Sequence, residues 1–474
     1  MLSKLTVLSP SAIEAIHEAT LELLRNVGVH LPDAEALDLL AQAGCEVDSA
    51  SQVARMPSRL VQEALSRCGR RYTLHGRDRE RSVRYGTGQF ILVSSPGQFA
   101  WVDDDGRRRR EPGLADTRAA AIVGNALEHI DVVGGMGMAL DVPAAWRDVV
   151  MAAELMKATS KPTQVWISGG RSLRFILEMC EAVQGGLEEH RLHPMLHGFI
   201  EPVSPLRFAP SGLEILKTCA RKGLPLCFAP MVQAGASGPA TLAGTLTMEN
   251  AEILSGIVLS QVIAPGLPVC YGGIPHLFDM HAMQISFGAP EQGLMAVAMT
   301  QMARSYGLPV YVNVGLSDSK MMDAQSGMER AATLLMGALA GADTFGHMGI
   351  VGLDQAGSLL QLVFDNEMAA YVKRLLRGFE VNSATLALPL ISEVGIGGSF
   401  LAEQHTCENF RSETWFPRLC DRRRWEAWEA DGSSSMADQA RAHLTRILST
   451  QSAEPCDAAL ARELDRIAAA AAQT

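Results

Sequence analysis

Asp318 and His347 each stand where an apolar run gives way to a loop, and together they offer a carboxylate and an imidazole. A carboxylate there could balance a cation, and an imidazole could donate a hydrogen bond or move a proton. The ends of the other apolar runs are Met136-Gly137-Met138, Ser168-Gly169-Gly170, Glu201-Pro202, Pro230-Met231 and Gly273-Ile274-Pro275. This set is poor in acids and bases. It holds no Ser-His-Asp arrangement, and Lys320 is the one lysine placed for a Schiff base. Glycine and methionine dominate, which predicts a roomy mouth with soft apolar walls. Such a mouth admits a large ligand, or lets a second macromolecule approach.

Aromatic residues recur in six successive runs: Trp166, Phe199, Phe228, Tyr271, Tyr311 and Phe345. Trp101 and Phe99 could reach over from the N-terminal side. A ring of aromatics with one or two carboxylates binds a quaternary ammonium by cation–π attraction. Trp166, Phe199, Tyr271 and Phe345 are the expected aromatic walls, with Asp318 or Glu201 as countercharge. Asn313, Ser317 and His347 are the expected donors if the ligand also carries a carboxylate.

Metal chemistry has little support. His193-Pro-Met-Leu-His197 resembles a helical ligand pair, but Pro194 and the run that follows do not suit a helix. His405, Cys407 and Cys420 lack a fourth ligand at normal spacing. The nine cysteines form no C-x-x-C pair, so they are expected to be reduced, in a cytoplasmic protein. No metal and no tightly bound cofactor are expected.

An α/β fold is needed to place these residues. Gly-Leu-Pro occurs at 223–225, 266–268 and 307–309, spaced 43 and 41 residues apart. Each copy follows a helical pattern and precedes an apolar strand, since glycine suits a helix C-cap and proline stops the helix. The strands are Leu226–Ala229, Val269–Gly272 and Val310–Val314. Val132–Met138, Gln164–Ser168, Leu196–Ile200 and Thr344–Met348 extend the series to seven, and Leu386–Ile396 is the candidate eighth. Asp323 is expected to cap a helix, Ala324 to Ala340, that stops at Gly341. The simplest closure is a (β/α)8 TIM barrel. The competing open doubly wound sheet lacks its Gly-x-Gly-x-x-Gly turn.

Three regions are expected. Residues 1–110 form an N-terminal α+β extension, 111–397 the barrel, and 398–474 a C-terminal helical region. In the first, Ser11-Ala12-Ile13-Glu14 reads as a capping box opening a helix to about Asn26. Asp103 to Gly106, before Arg107 to Arg110, reads as a charge-balanced hairpin rather than an anion site. The net charge of −11 argues against nucleic acid and suits a small cationic substrate. No apolar run reaches membrane-span length, and the N-terminus lacks a signal-peptide core. A homo-oligomer is expected.

Several motifs carry a resemblance. They are the run Gly315-Leu-Ser-Asp-Ser-Lys-Met-Met-Asp-Ala-Gln-Ser-Gly-Met-Glu329, the segment Gly341 to Gly349, and Pro239 to Glu252. His75-Gly-Arg-Asp, His405-Thr406 and Arg411 to Pro417 add to them. Together they resemble the trimethylamine methyltransferase (MttB) superfamily from about residue 10 to 450. The resemblance implies a TIM barrel that moves a methyl group from a methylamine to the cobalt of a separate corrinoid protein. Founding members carry pyrrolysine, and this chain shows only standard residues. It thus resembles the branch without pyrrolysine, which implies a quaternary amine such as glycine betaine as methyl donor. Two alternatives are a same-fold methyltransferase using tetrahydrofolate as carrier and a non-catalytic quaternary-amine-binding barrel. A pterin would need a carboxylate and amide such as Asp318 and Asn313 facing its ring.

Overall fold

The computed structural model describes residues 4–103 and 108–473. Six parallel strands run side by side in the order Gly198–Ile200, Leu226–Phe228, Val269–Gly272, Val310–Val312, Thr344–Met348 and Ile91–Ser94. The three Gly-Leu-Pro steps do what their residues suggest. Gly223, Gly266 and Gly307 all have positive φ, at 72°, 88° and 71°, and a buried strand follows each. The helix Ala324–Ala340 is capped by Asp323, whose carboxylate accepts from the Ser326 N–H at 2.9 Å, and ends at Gly341.

The eighth strand is not where the sequence reading put it. Leu388–Val394 is a helix with proline in its first turn and no buried residue. The place beside Thr344–Met348 is taken by Ile91–Ser94, buried along its whole length. The expected boundary at residue 110 therefore cuts off a strand that belongs to the parallel sheet. Val133–Gly134 and Thr163–Gln164 form a further parallel pair, joined to this edge by a Val93–Val132 bridge. Among the described residues no strand pairing links Thr163–Gln164 to Gly198–Ile200. The backbone ladder is thus a curved parallel sheet with a seam at that point.

Strand alternation divides the sheet into two faces. Cys227 pairs with Phe199 and Cys270, and Tyr311 pairs with Thr344, which pairs with Ile91. This layer faces inward. Phe228, Tyr271, Val312 and Phe345 occupy the opposite face, against the helices. The hairpin Tyr72–His75 and Ser82–Tyr85 inserts Tyr72, Leu74, Val83 and Tyr85 among the inward residues. There the Tyr72 hydroxyl lies 2.9 Å from His197 Nδ1, just before the strand Gly198–Ile200. The N-terminal end of the sheet is plugged in this way.

The N-terminal helices Pro10–Asn26, Ala34–Gln42 and Ser58–Arg67 pack on Leu242–Ile263, an outer helix buried on nearly all sides. The first helix is capped by Ser9 with Pro10 following, not by Ser11, because proline fixes the entry two residues earlier. Strands Ala100–Val102 and Arg109–Arg110 form the expected hairpin, whose tip at 104–107 lies outside the described residues. Asp103 takes Arg110 at 2.7 Å and Arg108 at 3.8 Å, so these two arginines are charge-balanced. No described helix is long and apolar enough to cross a membrane.

Candidate functional site

The seam opens on a cavity of about 160 Å³. Trp166, Phe199 and Glu201 line its upper part, with His197 and Tyr85 below. Trp166 follows the strand Thr163–Gln164, and its indole N–H donates to the Gly97 carbonyl at 3.1 Å. That bond fixes the ring. Phe199 meets it edge to face at 5.8 Å, and His347 does the same at 5.6 Å. Tyr311 closes the group, 5.4 Å from Phe199.

Glu201 follows directly on Gly198–Ile200. The residue is solvent-exposed through the cavity, although protein atoms crowd around its carboxyl, and it makes no hydrogen bond with any described residue. Loss of surrounding water, and then the nearby Asp354 charge, push its pKa up to about 7. Asp354 is itself raised to about 6 by burial, while the Gln98 amide donates to it at 2.7 Å. Two carboxyls at one opening, one without a donor, form a site of negative potential that a cation would satisfy.

His347 is held in an unusual backbone state. Its φ is +65°, and the pairing register with Ile91–Ser94 shifts between Phe345 and Met348. Gly346 makes this possible, because a Cβ there would lie 1.6 Å from the Tyr311 hydroxyl. The bulge turns the imidazole inward. Burial lowers its pKa to about 4, so the ring is neutral. Nδ1 faces the Asn313 amide nitrogen at 3.5 Å, the outer limit of a hydrogen bond. An accepting Nδ1 puts the proton on Nε2, which has no protein partner. The Tyr311 hydroxyl and Asn313 Oδ1 are likewise buried without a partner. The site thus holds two free donors, His347 Nε2–H and Tyr311 O–H.

Other expected site residues are engaged elsewhere. Asp318 accepts from the Ser286 hydroxyl at 2.5 Å and the Phe287 N–H at 2.7 Å, so both its oxygens fasten a neighbouring loop. Ser317 donates to Glu329 at 2.6 Å. Tyr271 points outward and donates to Asn250 at 2.8 Å. Phe345 also points outward, packed on Phe90 at 4.5 Å. Strand alternation separates these two rings from Phe199 and Tyr311, a distinction that one aromatic per strand does not reveal.

Asp354 and Gln98 escaped the sequence reading. Both lie in short loops without periodic pattern. Tyr311 was visible only as one ring of six. The histidines considered as ligands are apart: His197 is bonded to Tyr72, and His193 stacks edge-on with His75 at 5.0 Å. Among the described residues no group of three or more His, Cys, Asp or Glu is placed to hold a metal ion.

Residues 1–473 match the family model described as trimethylamine methyltransferase (MTTB). The chain is similar to trimethylamine methyltransferase MttB of Methanosarcina thermophila, 33% identical over 476 residues, covering 97% of this chain and 96% of that protein. It is also similar to the glycine betaine methyltransferase of Desulfitobacterium hafniense (strain Y51), 31% identical over 445 residues, covering 94% and 92%. The crystal structure of Methanosarcina barkeri monomethylamine methyltransferase (MtmB) shares the fold, with a TM-score of 0.50 over 94% of this chain and 89% of that one at 9% identity. The resemblance carried by Gly315–Glu329 and its companion motifs is borne out, and the chain belongs to the MttB family of methyltransferases.

Proposed function

We propose that this chain moves a methyl group from a quaternary amine, such as glycine betaine, to the cobalt of a separate corrinoid protein in the cytoplasm. The eight parallel strands would form a (β/α)8 barrel, open at one seam, with the amine bound at its C-terminal end. The observation that carries this reading is Glu201, a carboxyl open to the cavity and without a hydrogen-bond donor, beside the crossed rings of Trp166 and Phe199. A quaternary ammonium donates no hydrogen bond. It is held by a charge and by aromatic faces, and those are what this cavity offers. His347 Nε2–H and Tyr311 O–H supply the donors that a betaine carboxylate requires.

The sparse acid–base set agrees with this chemistry. The departing group is a neutral tertiary amine, so no residue need give it a proton. The partner's Co(I) supplies the nucleophile. The chain's residues bind the ammonium, exclude water with their rings, and hold one methyl group toward the mouth. The rim suits a docked protein. Phe99, Met280, Met283 and Met321 are exposed in loops that follow strands, and Met328 is exposed on the helix Ala324–Ala340 that begins just after the last of these loops. Adaptable methionine side chains suit a contact that forms and breaks. A folate carrier finds less support, because Asp318 is already bonded through both oxygens.

An anaerobic assay tests the reading. The chain, a reduced corrinoid protein and glycine betaine should together consume the Co(I) absorbance, and a Glu201→Gln chain should do so far more slowly. Consumption with methyltetrahydrofolate and not with any quaternary amine would contradict it.

A further inference from the structure

The cavity beside Glu201 does not end at the cation site. Residues 163–167 line it on one side, and Met195, Leu196, His197, Phe199 and Glu201 on the other, so it follows the seam from strand start to strand end. It also passes between the layers. Leu74 and Tyr85 reach it from inside the sheet. Met156, Ile176, Cys180 and Ile215 reach it from three outer helices, Arg147–Ala158, Gly170–Gln184 and Pro210–Lys222. All six are buried. Protein interiors leave few voids larger than a water molecule, because the atoms lining a void lose contacts. A cavity of about 150 Å³ with apolar walls stays dry and holds one benzene, and this one is about 160 Å³.

The lower part of the cavity is uncharged. Glu201 is the one carboxyl among the lining residues, which include no lysine or arginine. His197 is neutral there, its pKa lowered to about 4 by burial, and its Nδ1 is taken by the Tyr72 hydroxyl. An unpartnered donor in the wall, Gln164 Nε2, is a neutral amide. A ligand carboxylate therefore has no cationic partner in the lower seam. The donors of His347 and Tyr311 stand at the upper end, beside Trp166 and Phe199. Two small residues keep the lower space open. Gly212 lies within the helix Pro210–Lys222, where alanine is the better helix former. A Cβ there would meet only Ile200 Cγ2, at 3.7 Å, so this space is left unfilled. Ala152 lines the cavity from the helix Arg147–Ala158.

We propose that the amine this chain prefers carries a fourth substituent that is uncharged, apolar and about the size of a benzene ring, and that this arm runs from Glu201 down the seam. The inference rests on the quaternary-amine reading and narrows its substrate class. The methyl groups stay at the upper end, toward the mouth. Calorimetric titration of the full chain at pH 8 with two simple cations tests it. Benzyltrimethylammonium should bind about ten- to hundredfold more tightly than tetramethylammonium, the gain expected from burying one ring. Gly212→Leu and Ala152→Leu, which fill the seam from different helices, should each remove most of that gain, with thermal melting showing that the variant is folded. Equal wild-type affinity for the two cations would overturn the proposal, and this ranking needs no variant to fold. If tetramethylammonium then still binds the wild type and not Glu201→Gln, the cation site itself stands. An undiminished gain in both folded variants would also overturn the proposal, because the arm would lie elsewhere. Binding of neither cation would overturn it together with the quaternary-amine reading.

Discussion

The loop after Val310–Val312 and the loop after Gly198–Ile200 each carry a carboxylate, Asp318 and Glu201, at the same end of the parallel sheet. Their surroundings differ. Asp318 accepts two hydrogen bonds, its own N–H donates to Glu329, and Ser317 donates to the same Glu329 oxygen. Below it Arg330, wholly buried, bonds both Asp365 oxygens at 3.1 Å and the carbonyls of Gly315 and Ile350. Asp365 accepts from the Gly349 N–H, which ties the strand carrying His347 to the same network. Around Glu201 there is no such closure. A carboxylate whose oxygens are all satisfied holds its neighbours in place, whereas one left without donors at an aromatic opening keeps its acceptors free, which is why we propose Glu201 and not Asp318 as the countercharge.

The sharpest way to break the comparison is at Arg330. Arg330→Ala leaves Asp365 buried without its ion partner, and should lower unfolding stability by about 3–5 kcal/mol. Urea unfolding measures this, and a loss below about 1 kcal/mol would mean the network is not the framework described. Glu201→Gln should act the other way. Quaternary-amine affinity should fall about ten- to hundredfold, or about 1.5–3 kcal/mol. The folded pKa of Glu201 lies above the ordinary carboxyl value, so the fold is favoured by acid at this group and loses that stabilisation as pH rises through about 7. The variant should therefore melt no lower than wild type at pH 8. A lower melting temperature would assign Glu201 to the framework.

Asp318→Asn should cost about 1–2 kcal/mol of stability, because one partner of Ser286 or Phe287 is lost. Its amine affinity should stay within about twofold of wild type, and a tenfold loss would return Asp318 to the binding site. The smallest effect is expected at the rings. Phe199→Leu keeps the bulk and removes the aromatic face, costing about 0.5–1 kcal/mol in affinity for a quaternary ammonium. A neutral ligand of the same shape should show no such loss.

The repeating part of the fold was legible because each unit carries its own stop signal. Gly-Leu-Pro marks helix end and strand start within a few residues, and local rules suffice there. Ile91–Ser94 was legible as a strand but not as a member of the sheet, since its partner Thr344–Met348 is far along the chain. Trp166, Phe199, Glu201, Asn313 and His347 follow from being at strand ends. Asp318 and Ser317 follow from the same rule, but what the sequence does not reveal is that they are bonded to Ser286, Phe287 and Glu329 from other elements. Asp354 meets Glu201 only through the fold, so no spacing announces it.

The most direct test is calorimetric titration of glycine betaine into wild type, Glu201→Gln and Asp318→Asn at pH 6 and pH 8. Glu201 in the free protein is protonated below about 7 and must lose that proton to hold a cation, so wild-type affinity should rise from pH 6 to pH 8 by up to about tenfold. Asp318→Asn should follow the same rise, and Glu201→Gln should be weak and flat. Equal affinity in wild type and Glu201→Gln at both pH values would contradict the assignment of the cation site.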